Sequence, residues 1–120
     1  MTTVFATRTI DLEKDQLWNI IDDFGGIYRF HPAVERSPLL GIQNSGLGAR
    51  RRCEFYDGSK VVEEITGYQK GEQIRVQIVE GSLPFKTAYG TFALANGADG
   101  TTEVSLSIDY QMKYGPLGSL

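Results

Sequence analysis

Apolar and polar residues alternate without a break over residues 102–114. Val104, Leu106, Ile108, Tyr110, Met112 and Tyr114 fall on one side, and Glu103, Ser105, Ser107, Asp109, Gln111 and Lys113 on the other. Period two over that length predicts an antiparallel strand with one wet and one covered face. Residues 3–10 carry the same period, with Val4, Ala6, Arg8 and Ile10 set against Phe5, Thr7 and Thr9. So do residues 73–80, where Ile74, Val76 and Ile78 alternate with Arg75, Gln77 and Val79. Residues 49–56 and 60–68 flank Asp57-Gly58, a strong hairpin signal. Residues 34–42 form a weaker strand broken by Pro38, and residues 87–95 another, reached through Pro84. Gly97-Ala98-Asp99-Gly100 reads as a turn.

One segment breaks this period. Leu17, Ile20, Ile21 and Phe24 stand at i, i+3, i+4 and i+7, a single helical stripe. Asp11, Glu13 and Asp15 lie around its start, where carboxylates meet the positive end of the helix dipole. Gly25-Gly26 is expected to stop the helix. A second short turn or helix follows over residues 27–30, and His31-Pro32 ends it, because a residue before proline avoids the helical region.

The pattern therefore predicts an α+β chain: an antiparallel sheet of six or seven strands with two short N-terminal helices. One short helix is too little to cover that sheet. Gly115-Pro116-Leu117 reads as the opening of a helix. The expectation is a single domain over residues 1–120 that ends at the start of a C-terminal helix, itself absent from the chain or supplied by another molecule.

Composition narrows the function. The chain has 120 residues, 41% of them hydrophobic and 22% charged, enough to build a core without a metal or disulfide staple. Twelve Lys and Arg against 15 Asp and Glu give a net charge of -3. With no basic run beyond Arg50-Arg51-Arg52, nucleic-acid binding is not expected. Apolar runs are too short to span a membrane, and the N-terminus lacks a basic region followed by an apolar one, so a cytoplasmic protein is expected. One cysteine, Cys53, allows no internal disulfide, and one histidine, His31, leaves little room for a metal site or a catalytic triad. No metal and no cofactor are expected.

The hairpin carries the most informative polar residues. A three-residue loop, Asp57-Gly58-Ser59, would pair Tyr56 with Lys60 and Phe55 with Val61. Arg51, Cys53, Phe55, Val61, Glu63 and Ile65 then share the covered face, with Arg51 and Glu63 as diagonal neighbours. A covered Arg and Glu are costly unless paired or wetted by a cavity. They read either as a structural ion pair or as the polar anchor of an apolar pocket, able to orient a carbonyl, hydroxyl or carboxylate. His31 titrates near neutrality when unperturbed and is a second candidate for acid-base work beside Glu63, although no Ser, Cys or Asp partner is placed by sequence. Tyr89 and Tyr110 are expected to line the pocket, together with Phe55, Tyr28, Phe30 and Met112. Trp18 and Phe24 read as helix-to-sheet core, and Cys53 as a small buried hydrophobe rather than a nucleophile. Gly46-Leu47-Gly48 precedes a strand instead of a helix, so it is not a phosphate loop.

This order of elements resembles the SRPBCC superfamily, with its START-like helix-grip fold, in the bacterial polyketide cyclase/dehydrase-like branch. The likeness rests on residues 10–24 (IDLEKDQLWNIIDDF), 27–34 (IYRFHPAV), 48–58 (GARRRCEFYDG) and 61–65 (VVEEI), on Leu83-Pro84 with Tyr89, and on the last strand with Tyr110. The resemblance implies a curved sheet gripping a long C-terminal helix, with an apolar cavity between them. The first expectation is a binding module for a small hydrophobic molecule of lipid, polyketide, isoprenoid or aromatic type, held by Arg51, Glu63, Phe55, Tyr89, Tyr110, Met112, Tyr28 and Phe30. The alternative is an enzyme of cyclase, aromatase or dehydratase type in which His31 or Glu63 moves protons. A third is a homodimer or accessory protein that pairs through the uncovered sheet face.

Overall fold

The structure is a computed structural model and describes residues 1–113. Eight strands follow in chain order: β1 Thr2–Ile10, β2 Val34–Arg36, β3 Leu39–Leu40, β4 Arg50–Phe55, β5 Lys60–Gln69, β6 Gln73–Gly81, β7 Phe85–Asn96 and β8 Thr102–Met112. One helix, α1 Lys14–Asp22, and a 3₁₀ helix, Phe24–Arg29, lie between β1 and β2. All strands join one antiparallel sheet in the order β1-β8-β7-β6-β5-β4-β2, with β3 also paired to β4. There are eight strands where six or seven are expected, and the weak stretch 34–42 divides at Pro38 into β2 and β3. The fold is the α+β helix-grip arrangement. The helix expected from Gly115-Pro116, and Tyr114, lie outside the described residues.

Curvature has a local cause. The β5–β6 pairing slips between Val62 and Glu63 and again between Ile65 and Gly67, and β7 slips against β8 between Phe85 and Thr87. Such bulges bend and twist the strand that carries them.

The N-terminal helices differ from the expected stripe. A hydrogen bond from the Glu13 N–H to Gln16 Oε1 fixes the start of α1. The helix ends at Asp22, before the glycines, so its buried face is Leu17, Trp18 and Ile21, and Ile20 is 44% exposed. Gly25 and Gly26 sit inside the 3₁₀ helix instead of after α1. Both pack closely: a β-carbon on Gly25 would stand 3.0 Å from Leu39 Cγ, and one on Gly26 would displace the Asp23 carboxylate that pairs with Arg29. Phe24 is carried by this 3₁₀ helix into the core.

The main core joins α1 and the 3₁₀ helix to the sheet: Leu17, Trp18 and Phe24 pack on Ala49, Ile65, Ile74, Val76 and Leu94. A second cluster, Ile27, Val34, Cys53 and Val61, closes the β4 end. Neither cluster includes Gly90, Ile108 or Val4, which belong to the site described next.

Candidate functional site

The β4–β5 register places Arg51 directly opposite Glu63, Cys53 opposite Val61 and Glu54 opposite Lys60. The pairing expected from a three-residue loop is thus shifted by two residues. An even shift keeps every side chain on its face, so Arg51, Cys53, Phe55, Val61, Glu63 and Ile65 do share the inner side, but Arg51 and Glu63 are direct rather than diagonal partners. The turn is displaced by one residue, to Tyr56-Asp57-Gly58: the Phe55 N–H donates to the Ser59 carbonyl, the Gly58 N–H to the Phe55 carbonyl, and Asp57 Oδ1 accepts from the Ser59 N–H and hydroxyl.

Arg51 is 6% exposed. Its Nε donates to Glu63 Oε1 at 2.8 Å, its Nη1 donates to the Phe24 carbonyl at 3.0 Å, and its guanidinium carbon lies 3.9 Å from the centre of the Phe24 ring. Charge pairing, a backbone acceptor and a ring face together compensate the loss of water. The ion pair is a single contact instead of the two-point fork that Arg and carboxylate often make. Among the described residues Arg51 Nη2 and Glu63 Oε2 take no hydrogen bond, and neither is among the buried atoms sealed from solvent without a partner.

Cys53 Sγ donates to the same Glu63 Oε1 at 3.2 Å. Burial, reinforced by the Glu63 charge, pushes the thiol up from near 9 to about 12. At neutral pH it is a protonated donor and offers no thiolate nucleophile.

Arg51 shares a cavity of about 20 Å³ with Ile21, Phe24, Ile27, Phe30, Ile74, Val76 and Phe92. That is room for about one water. The space between the sheet and the N-terminal helices is therefore almost filled, by Trp18 and Phe24 above all, and room for a guest lies beyond it. There the inner face continues across four strands as the row Val76, Gly90, Ile108 and Val4. Phe92 and Leu106 flank it on one side, Ala88 and Tyr110 on the other. Ile108 is 39% exposed and Met112, further along β8, 41%. At Gly90 a β-carbon would meet its neighbours only at ordinary contact distance, so the missing side chain leaves a dip in the row. The site is this apolar trough along the row, which adjoins the small cavity of Arg51 at Val76 and Phe92.

The expected site residues divide. Arg51, Glu63, Phe55, Phe30, Tyr110 and Met112 belong to the inner side, with Tyr110 edge-on to Phe85 at 5.7 Å and Phe30 in the wall of the small cavity. Tyr89 does not join them. It pairs with Gln77 and Asp109 on the outer face, under the Arg75 guanidinium at 4.0 Å. The strand's inward set is Ala88, Gly90, Phe92 and Leu94, so a pocket role for Tyr89 is corrected by parity. Tyr28 also departs. It lines an outer groove of about 510 Å³ with Arg36, Arg52 and Glu54. Three of the groove's charges pair: Glu54 accepts from Arg36 at 2.6 Å and Arg52 at 2.9 Å, and the Arg52 bond, helped by Arg36, holds its carboxyl below the usual range. His31 is exposed, its Nδ1 accepting the Ala33 N–H at 3.2 Å and its ring edge-on to Phe55 at 6.4 Å. Its Nδ1 is thereby engaged by its own turn. Sequence reasoning missed Phe92, Ile74 and Val76 as lining residues, though their period-two spacing carried the signal, and it missed the ring and carbonyl of Phe24 as partners of Arg51.

Among the described residues no three His, Cys, Asp or Glu gather as a metal site, and no helix is long and apolar enough to cross a membrane.

Comparison with known proteins agrees with this architecture. The protein XoxI from Bacillus cereus matches with a TM-score of 0.81 at 18% identity, over 93% of this chain and 77% of that one. The major latex-like protein 151 of Panax ginseng matches with a TM-score of 0.80 at 18% identity, over 92% and 79%. A START superfamily protein from Mycobacterium smegmatis matches with a TM-score of 0.77 at 15% identity, over 92% and 77%. At such identities the likeness is one of fold. No curated protein matches the chain in sequence. The profile of one family, described as polyketide cyclase / dehydrase and lipid transport, matches residues 1–120 from end to end, and the chain belongs to that family.

Proposed function

We propose that this protein binds a small, mostly apolar molecule along the inner trough, with a polar head at Arg51 and Glu63 and an apolar body over Val76, Gly90, Ile108 and Phe92. The observation that carries this reading is the partly exposed apolar row of the inner face, which runs up to the single-contact Arg51–Glu63 pair, where Arg51 Nη2 and Glu63 Oε2 take no protein hydrogen bond among the described residues. Each added apolar contact on this face contributes about 25 cal/mol per Å² of covered surface, before the cost of ordering the guest. Binding ranks ahead of turnover because the groups suited to proton transfer do not converge: the Cys53 thiol stays protonated, and His31 stands outside with its Nδ1 engaged.

The test is native mass spectrometry of protein purified from its own host, followed by titration with the neutral dye Nile red. A co-purifying small molecule that organic extraction removes, or saturable dye binding competed by alkyl compounds, is the expected result. A ligand-free mass together with no saturable dye binding overturns the proposal.

A further inference from the structure

The sheet has two ends, and they are unlike. One is β2, three residues long and carrying Glu35 and Arg36. The other is β1, nine residues long, paired to β8 on one side and, among the described residues, to no strand on the other. In an antiparallel edge strand every second residue turns its N–H and C=O away from its neighbour. Such a row is a template for one more strand.

Proteins that keep an edge unpaired shorten it, bulge it, or place proline or several charges on it. β1 has none of these guards. Its register with β8 runs unbroken from Thr2 to Ile10, its sequence TTVFATRTI has no proline, and Arg8 is its one charged residue. Arg8 Nη1 donates to the Thr7 carbonyl at 2.9 Å, and among the described residues no other side chain bonds the backbone of β1. Apolar groups flank the edge on both faces: Val4 on the inner side is 51% exposed and Phe5 on the outer side 65%.

We propose that a second copy of this chain docks on β1, strand against strand and antiparallel, about a two-fold axis at Ala6. Full overlap of the nine residues sets Ala6 opposite itself, Phe5 opposite Thr7 of the second copy and Val4 opposite Arg8 of the second copy. An aromatic ring then faces a β-branched side chain, a favourable cross-strand pair. The two Arg8 side chains stand four positions apart, roughly 14 Å along the strand, farther than the screening length of about 8 Å at physiological salt. A register that put Arg8 opposite itself would bring like charges together and shorten the ladder. Docking β1 on β2 of another copy would pair three residues at most and would leave an open chain of molecules, whereas β1 on β1 closes as a dimer.

Sedimentation equilibrium of the full chain over a concentration series tests this. The expected mass rises from the 13.3 kDa of one chain toward twice that value and stops there. Ala6→Lys, which sets two charges face to face on the axis, should weaken association at least about ten-fold. Tyr56→Lys, in the exposed β4–β5 turn, should leave it unchanged. Ala6→Cys should cross-link two chains under mild oxidation, because directly opposed residues lie within disulfide reach. Val4→Cys should not, and Cys53, 2% exposed, takes no part. A single-chain mass at every concentration overturns the proposal, as does a dimer that Ala6→Lys leaves intact, or one that cross-links through Val4→Cys and not Ala6→Cys. The cross-linking comparison decides the matter even if Ala6→Lys folds poorly.

Discussion

Arg51 and Glu63 face each other directly across β4 and β5, Nε to Oε1 at 2.8 Å, with the Phe24 ring against the guanidinium. This contact joins the 3₁₀ helix to the sheet and sets the polar end of the trough. Its energetics follow from burial: removing one partner strands the other, whereas replacing both removes the problem.

Arg51→Leu should therefore destabilise the fold by about 3 kcal/mol, because Glu63 and the Phe24 carbonyl lose their donor together. Arg51→Leu with Glu63→Leu should recover most of that loss. Urea denaturation of the two single variants and the double variant closes the cycle. A double variant as unstable as the sum of the singles contradicts the pairing.

Cys53 supplies a pH dependence. Its native thiol is raised to about 12 from near 9, chiefly by burial. A raised native value means that the unfolded chain loses its proton first as pH rises. The stability contribution is complete below about pH 9 and fades as pH climbs toward 12. Cys53→Ala should flatten this part of the stability curve relative to the unaltered protein. In the folded state at pH 8, iodoacetamide should leave Cys53 unlabelled until denaturant is added. Labelling of folded protein at the rate of a free thiol contradicts the burial argument.

Gly90 offers a way to fill the trough without disturbing the fold. It lies between Val76 and Ile108 on the inner face, and a β-carbon there meets nothing closer than 3.6 Å. Gly90→Val should hold or raise the unfolding midpoint, since valine suits a strand and glycine does not. The same change should weaken binding of an alkyl probe about ten-fold by occupying the dip. Undiminished binding in a stable Gly90→Val protein would place the guest elsewhere.

Much of this was legible in the residue pattern, for a physical reason in each case. Period two over residues 102–112 marks β8, and the requirement to bury one face puts Arg51, Cys53 and Glu63 together on the inner side for any even shift of the register. The exact position of the turn was not legible. It depends on the hydrogen bonds of Asp57 and Ser59, and a two-residue slip leaves the hydrophobic pattern unchanged. Tyr89 was misplaced because the two sets on β7 contrast weakly, each holding an aromatic ring and small residues: Ala88, Gly90, Phe92 and Leu94 against Tyr89, Thr91 and Ala93. Only pairing with Ile74, Val76, Leu106 and Ile108 decides which set is inward. The partnership of Phe24 with Arg51 was beyond sequence reach, since 27 positions separate them and a 3₁₀ helix had to bring them together.

The central claim is that the inner face, and not the outer one, receives the guest. Amide and methyl NMR spectra of the labelled full chain, recorded as decanamide is added, test it most directly. The account predicts saturable shifts at Ile74, Val76, Gly90, Phe92 and Ile108 and at the Arg51 Nε–H, with Tyr89, Arg75 and Phe5 on the outer face unmoved. Shifts confined to Tyr89, Arg75 and Phe5, or to the outer groove of Tyr28, Arg36 and Arg52, would contradict it.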